Sequence, residues 1–423
     1  MLKELTIKNF MSFRNETVFS MEADVERVSE HKDHIVQIAG NKILKVASFY
    51  GPNGGGKSNF IKALALLKYI QIGSASIVID FEFSCVYSDS SEIEETVFFI
   101  DDSFELGCKY IITPVYIDDS IEDGDENPLR RRMFNHVEFQ INYEEVIFRE
   151  KDRLEFETLF TRSSDGTIKS NFFDELIVNQ NFRLAKNKSV VKYIYETFAN
   201  NDGELSIGLD VVRRLMNQIN SVRRLDLSMR VYSKEYLDFI IENEEKLVEL
   251  LNNIDVKISS IKINKEKANP IYFVREIECD GVKKVKELSL MLESAGTKKI
   301  FDLFVNILRY IDKSTIFYCD DMNAYLHPKL YRAIVNMFQQ NTTNAQLIYN
   351  SHDIINMDND LFRRDEIWFV FRDDNYVSNM IPLSNIVNYK GEQVRKDAKF
   401  YKQYLEGRFG ADPFIKRGLK WNE

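Results

Sequence analysis

A chain of 423 residues with 44% hydrophobic content is long enough for two or three domains, or for one domain with large insertions, and can bury a sizeable core. Its net charge of -10 excludes whole-molecule attraction to nucleic acid or anionic membrane, so any such binding has to come from a local patch. The four cysteines, Cys85, Cys108, Cys279 and Cys319, are scattered, with no C-x-x-C pair and no histidine nearby at ligand spacing; this argues against a zinc site or a disulfide framework.

The opening "MLKELTIKNFMSF" lacks the uninterrupted apolar core of a signal peptide, and no stretch approaches the ~18 apolar residues that span a bilayer. A cytoplasmic location without a membrane partner is the expectation. Residues 2–20 alternate apolar and polar on either side of "RN", which predicts a short antiparallel pair. A strand "KILKVASFY" then runs directly into "GPNGGGKSN". In "FIKALALLKYIQI" behind it, Phe60, Ile61, Leu64, Leu67 and Ile70 recur at helical spacing.

From about 80 to 165 short alternating runs such as "ETVFFI", "KYIITPVYI" and "VEFQINY" predict an antiparallel sheet. Its acidic segment "IDDSIEDGDENP" reads as a solvated loop, because the carboxylates lack the spacing of a calcium loop. Between about 172 and 256 the pattern turns helical in "VVKYIYETFAN", "LDVVRRLMNQINSVRRL" and "EYLDFIIENEEKLVELLNNI", with no long heptad run. Strand patterns return in "ISSIKI", "PIYFVREIE" and "VKELSL", followed by the helix "GTKKIFDLFVNILRYI" and then "STIFYCDDMNAYLHP", "AQLIYNS", "EIWFVFRDD" and "YVSNMIPL".

Three of these stretches carry chemistry. Gly51-Pro52-Asn53-Gly54-Gly55-Gly56-Lys57-Ser58 fits G-x-x-x-x-G-K-[ST] in full, between a strand and a helix. Such a loop turns successive backbone N–H groups, and the positive end of the helix, toward phosphates. Lys57 would reach the β- and γ-phosphates and Ser58 would hold Mg²⁺. A phosphate loop needs a carboxylate at the end of a neighbouring strand for the metal, and Asp320 after "TIFYC" fits; Asp321 would then face the attacking water. In "ESAGTKK", Ser294 has N-cap chemistry and Gly296 permits close backbone approach, a second anion-binding helix start.

The ordered set "GPNGGGKSN", "ESAGTKK", "YCDDMNAYLHP" and "YNSHD" resembles the ATP-binding-cassette ATPase heads of the SMC, RecF and OLD group. More closely it is similar to the stand-alone OLD-like, AAA-family ATPases of bacterial anti-phage (abortive infection) systems, the RloA and AbiL type, with PARIS and Septu ATPases as relatives. The form "ESAGT", the "LHP" and the late "YLEGRFGADPFI" carry that closer likeness. The resemblance implies an α/β fold, an ABC-type P-loop ATPase head with an antiparallel β subdomain and a helical insertion. The expected parts are head lobe I at 1–75, the β subdomain at 76–170, the helical arm at 171–265 and head lobe II at 266–423.

Carried over, the pattern makes Gly51, Asn53, Gly54, Gly55, Gly56, Lys57, Ser58 and Asn59 nucleotide-binding, with the signature at Ser294, Ala295 and Gly296. Asp320 becomes the Walker B metal ligand with Ser58, Asn323 to His327 the D-loop, and His352 the switch histidine beside Asp321 and Lys57 in the catalytic set. The implied cofactors are ATP and Mg²⁺. The implied partner is a second copy that sandwiches ATP against the first. Where the family has glutamate this chain has Asp321, shorter by about 1.5 Å of carbon–carbon reach, and slow hydrolysis is the expectation.

Arg213, Arg214, Arg223, Arg224 and Arg230 lie in the helical middle region, and on one continuous helix Arg213 and Arg224 would fall within about 20° of each other. They read either as a grip on DNA, tRNA or an acidic protein, or as a solvated face paired with nearby glutamates. Arg130, Arg131 and Arg132 beside "EDGDEN" read as locally neutralised. The functional expectation is a sensor and scaffold ATPase of an anti-phage system, answering a phage-derived trigger and controlling a separate effector, a Toprim-like or HNH nuclease. The alternative is a RecF- or SMC-like DNA-repair or chromosome ATPase that clamps DNA.

Overall fold

Alternation at the start of the chain produces β1 (Leu2–Lys8) and β2 (Thr17–Ser20), paired antiparallel. The run "KILKVASFY" is not one strand. β3 (Ile35–Ile38) and β4 (Asn41–Leu44) form a separate hairpin, the chain bends at Lys45, and β5 (Val46–Tyr50) enters the core with all five residues buried. The bend has a visible cause: the Lys45 amine donates to the backbone oxygens of Asp33, Gln339 and Asn341. After β5 comes α1 (Lys57–Ile72), closed by Gly73 in the left-handed region, and then the short β6 (Ser74–Ser76).

β7 (Ile93–Ile100), β8 (Phe104–Asp118), β9 (Asn135–Glu150), β10 (Glu157–Arg162) and β11 (Ile168–Lys169) continue the chain. They join β1 and β2 in an antiparallel sheet of order β11-β10-β9-β8-β7-β1-β2, with β6 paired to β9. The helical region supplies α2 (Val190–Ile194) and α3 (Ile207–Ser221), then β12 (Val222–Arg224), α4 (Lys234–Glu242) and α5 (Glu244–Asn252). β13 (Ser260–Ile263), β14 (Ile271–Cys279) and β15 (Val282–Ser289) form a small antiparallel sheet. α6 (Ala295–Tyr310), β16 (Ile316–Cys319), α7 (Pro328–Gln339), β17 (Gln346–Asn350), β18 (Ile367–Arg372) and β19 (Ser378–Pro382) complete the head.

The six-stranded sheet β12-β16-β17-β5-β18-β19 is parallel except for its last pair. β5 and β17 are buried along their whole length, as central parallel strands covered on both faces should be. On one face Ala47, Phe49, Ile348 and Trp368 share a core with α1 and the antiparallel sheet. On the other, Tyr50, Phe317, Leu347 and Phe369 pack with Tyr331, Ile334, Val335 and Phe338 of α7. Truncating one of these wholly buried residues, such as Leu347, to alanine costs about 2–5 kcal/mol.

This computed structural model describes residues 1–24, 30–76, 82–118, 135–173, 184–199, 206–225, 232–279, 281–387, 393–395 and 398–410. The acidic segment beyond Asp118, Arg130 to Arg132, Arg230 and most of "GADPFI" lie outside them, while Ile117 and Asp118 of that segment end β8. The α/β class, with an antiparallel β subdomain and a helical insertion, is as expected from the sequence. The expected part boundaries cross the sheets: β1 and β2 belong to the antiparallel sheet, and β12, from the helical region, to the parallel one. Among the described residues no helix is long and apolar enough to cross a membrane. Cys85, Cys108 and Cys319 are buried thiols.

Candidate functional site

β5 delivers the chain into a loop that only glycine can trace. Gly51 has φ 146°, and a Cβ there would stand 2.0 Å from the carbonyl oxygen of Val370 in β18. Gly56 has φ 114°, and its Cβ would meet Ser378 Oγ at 2.3 Å. The loop is pinned from outside: Ser378 Oγ donates to Gly55 O at 2.7 Å, and Asn59 Nδ2 donates to Ser12 Oγ at 2.8 Å. Lys57 opens α1, and its Nζ donates back to Gly51 O and Pro52 O, each at 2.9 Å. Burial lowers the Lys57 pKa, against the opposing pull of Asp321 and Asp320.

The carboxylates arrive from the next strand but one. Asp320 follows β16, and Ser58 Oγ donates to its Oδ1 at 2.8 Å. Asn350, fully buried at the end of β17, donates through Nδ2 to the same oxygen and accepts the backbone N–H of Asp321 at 2.6 Å. Asp321 sits at φ 47°, a left-handed conformation that aspartate and asparagine tolerate better than longer side chains. Lys299 of α6 donates to its backbone oxygen at 2.7 Å.

His352 stands beside it, with Nε2 3.8 Å from Asp321 Oδ1. Asn323 orients this histidine's backbone, its Oδ1 accepting from His352 N at 2.9 Å and from Ser351 Oγ at 3.0 Å. Desolvation first, and then Lys57, lower the His352 pKa, while Asp321 and Asp320 oppose them. The shift favours the neutral imidazole, which can accept or donate a hydrogen bond according to its tautomer.

A cavity of about 240 Å³ over the loop is lined by Asn53 to Asn59, Asp321, His352 and Arg372. The expected phosphate loop, water-facing carboxylate and switch histidine thus share one space. The signature does not: Ser294 caps α6 by accepting from Thr297 N at 3.1 Å, and Ser294 and Ala295 are exposed. Ala295 instead borders a second cleft of about 770 Å³ with Lys298, Lys299, Asp320, Asp321 and Tyr325, on the other side of the aspartates. Gly296 packs under Tyr325, in the segment expected to be a D-loop, where a Cβ would meet the Tyr325 backbone oxygen at 2.8 Å.

Asn350, Arg372, Ser12 and Ser378 were not singled out in the sequence. Asn350 had a signal, standing beside His352 in "YNSHD"; the other three come from β18, β19 and the β1–β2 connection, far from any motif. The donor set suits a nucleotide with a hard divalent ion. A hydroxyl and a carboxylate already in contact offer two oxygen ligands, and the glycine cradle leaves backbone N–H groups for phosphate.

The arginine stripe is corrected by the structure. α3 ends at Ser221 and Val222–Arg224 is a strand, so Arg213 and Arg224 do not share a helix face. The capping N–H of Val222 turns back to Ile219 O while its φ and ψ become extended, and β12 is captured by β16. Arg213 pairs with Asp210 at 2.8 Å; Arg214 pairs with Asp210 and Asp101 and lies over Phe104. Arg223 stacks 4.0 Å over the Tyr310 ring, and Arg224 borders the larger cleft near Asp320.

Residues 46–358 match the family described as "AAA domain, putative AbiEii toxin, Type IV TA system". The chain belongs to this family. The match runs from β5 through the phosphate loop and both aspartates to just beyond His352, so this AbiEii-type chain carries an AAA-type ATPase domain. No curated protein matches it. Among solved structures it is similar to the SMC head domain from Thermotoga maritima, at TM-score 0.39 and 15% identity over 90% of this chain and 98% of that one. It is also similar to an SmcHead bound to the C-winged helix domain of ScpA, at TM-score 0.42 and 13% identity over 90% and 97%.

Proposed function

We propose that the protein binds ATP with Mg²⁺ and hydrolyses it slowly, in a site completed by a second copy of the chain. The observation that supports this reading is the 2.8 Å contact of Ser58 Oγ with Asp320 Oδ1, beside a cavity lined by Lys57 and the glycines of the loop. Ser58 and Asp320 would hold the magnesium, which when bound neutralises phosphate charge. Lys57 leaves the Gly51 and Pro52 oxygens for phosphate oxygens. Asp321 takes a proton from water, and His352 hydrogen-bonds to the terminal phosphate.

Two observations support a composite assembly. Among the described residues, no signature residue lines the phosphate-loop cavity, while Ser294 and Ala295 lie exposed at the start of a 16-residue helix. A second copy can bring that helix N-terminus to the first copy's nucleotide. Slow turnover rests on Asp321: its carboxylate is short and its backbone is held in a left-handed turn by Asn350, so the arm cannot lengthen by backbone adjustment. In the cell, this nucleotide-gated pairing serves a sensor and scaffold that answers a phage-derived trigger and controls a separate effector nuclease.

The decisive experiment measures ATP binding, mass in solution with ATP and Mg²⁺, and steady-state phosphate release for the native chain, Lys57→Ala, Ser294→Arg and Asp321→Glu. Lys57→Ala loses binding; Ser294→Arg keeps binding but loses ATP-dependent pairing and turnover; Asp321→Glu turns over faster. A monomer under all conditions with undiminished turnover in Ser294→Arg defeats the composite site, and a slower Asp321→Glu defeats the short-arm explanation. Effector control is tested by co-expression with the product of the neighbouring gene: a neighbour that is not a nuclease, or toxicity independent of Lys57, overturns it.

A further inference from the structure

At the opposite end of β5 from the phosphate loop, a short turn gathers three metal-ligating side chains that the nucleotide site does not use. His31, Asp33 and His34 each offer one ligand atom, and these atoms lie within 4.8 Å of one another, a unique grouping among the described residues. His31 has φ 40°, a left-handed conformation for which histidine is among the better-suited residues, and this lays its ring on that of His34 at 4.6 Å and 19°.

The surroundings of the two rings matter more than their proximity. His31 Nε2 lies 2.9 Å from the backbone oxygen of Asn359, which can only accept, so that nitrogen carries the proton. His34 Nδ1 lies 3.0 Å from Glu366 Oε1 and 3.1 Å from Oε2; burial raises the Glu366 pKa, but the Arg363 N–H and Gln339 Nε2 donors favour its carboxylate, to which Nδ1 then donates. The lone pairs are thereby left on His31 Nδ1 and His34 Nε2. Carbonyl and carboxylate acceptors on the far nitrogen are the arrangement that orients metal-bound imidazoles and raises their basicity. The Asp33 carboxylate is exposed and takes no hydrogen bond from the described residues. Lys45 spends its amine on backbone oxygens, including that of Asp33, while Arg363 and Arg364 are engaged by Asp365 and Glu30.

The geometry points to a divalent transition-metal site of the zinc class, with His31, Asp33 and His34 as protein ligands and a fourth position open to water or to a partner's side chain. Two imidazoles and a carboxylate select a borderline ion such as Zn²⁺ over Mg²⁺, whose preference for oxygen belongs to the Ser58 and Asp320 pair. The ion would tie the turn before β3 to Glu366 at the foot of β18, the strand whose Val370 carbonyl backs Gly51. It is a brace, remote from hydrolysis.

The test uses the full chain, stripped with chelator and titrated with Zn²⁺ against a chromophoric competitor, and separately loaded with Co²⁺. The native chain and Asp320→Asn each take up one equivalent of Zn²⁺, and the Co²⁺ form shows the visible absorption of a four-coordinate nitrogen and oxygen site. His31→Ala with Asp33→Ala, at positions that are not fully buried, removes two of three ligands and so binds more weakly by over about a hundredfold, the upper cost of losing only an outer-shell partner, while retaining ATP binding. Equal zinc affinity in native and double-variant chains overturns the site, as does a native Co²⁺ spectrum indistinguishable from the free aqueous ion.

Discussion

The side-chain carbonyl of Asn350 accepts the backbone N–H of Asp321 at 2.6 Å, while its amide donates to Asp320. One buried residue at the end of β17 therefore sets the spacing of both carboxylates. Asn350→Ala leaves them without that reference. A displacement of roughly 1 Å at a reacting group costs on the order of a hundredfold in rate, so single-turnover hydrolysis falls by about that factor, and the exposed donors and acceptors cost about 1–3 kcal/mol in stability. Native-like turnover in this variant removes Asn350 from the site.

Asp321→Asn separates carboxylate chemistry from backbone shape, because asparagine is equally at ease in the left-handed region. Hydrolysis is expected to fall by roughly 10²–10⁴-fold, the contribution of a positioned base, with ATP affinity within a few-fold of native. Isothermal titration beside a phosphate-release assay distinguishes the two quantities. If both fall together, Asp321 acts in binding instead.

Gly51 and Gly54 both have positive φ, but only Gly51 has a neighbour where its Cβ would go. Gly54→Ala bears the conformational cost alone, about 1–2 kcal/mol. Gly51→Ala adds a backbone clash at 2.0 Å with Val370 O, so β5 or β18 has to shift. Chemical denaturation should show the larger loss for Gly51→Ala; equal losses contradict the close packing of β18 on the loop.

Burial raises the Asp302 pKa to about 7, and the hydrogen bond from Tyr236 Oη at 3.2 Å only partly offsets it. A carboxyl whose folded pKa exceeds its ordinary value of 3.8 binds more protons in the folded state. Its contribution to stability is largest below that ordinary value and is lost as pH rises toward and through 7. Asp302→Asn mimics the neutral acid, so its thermal midpoint exceeds the native one at pH 8 and the two converge near pH 4. A variant less stable than native at pH 8 shows that the ionised form is the favoured one.

The phosphate loop was legible because its chemistry is local: consecutive glycines, one lysine and one hydroxyl, flanked by a strand and a helix of unmistakable period. The paired aspartates gained meaning from that loop, and their contact with Ser58 joins residues 262 positions apart. The arginines misled for a related reason. A 3.6-residue period read through "NSVRRL" assumes that the helix continues, but the apolar neighbours of β16 capture Val222–Arg224 into the sheet. Helical periodicity carries no information about an unfilled sheet edge nearby. Asn350 and Ser378 were hidden likewise, since each matters through hydrogen bonds to residues distant in sequence.

β12 is the one strand of the parallel sheet that comes from the helical middle of the chain, and it is laddered to β16 from Val222 opposite Ile316 to Arg224 opposite Tyr318. The next residue, Leu225, also donates its N–H to Tyr318 O. Two residues beyond Tyr318 stands Asp320. The helical middle of the chain is thus laced by one short hydrogen-bonded ladder to the strand that ends at Asp320, so a shift of β12 cannot leave that carboxylate's strand untouched.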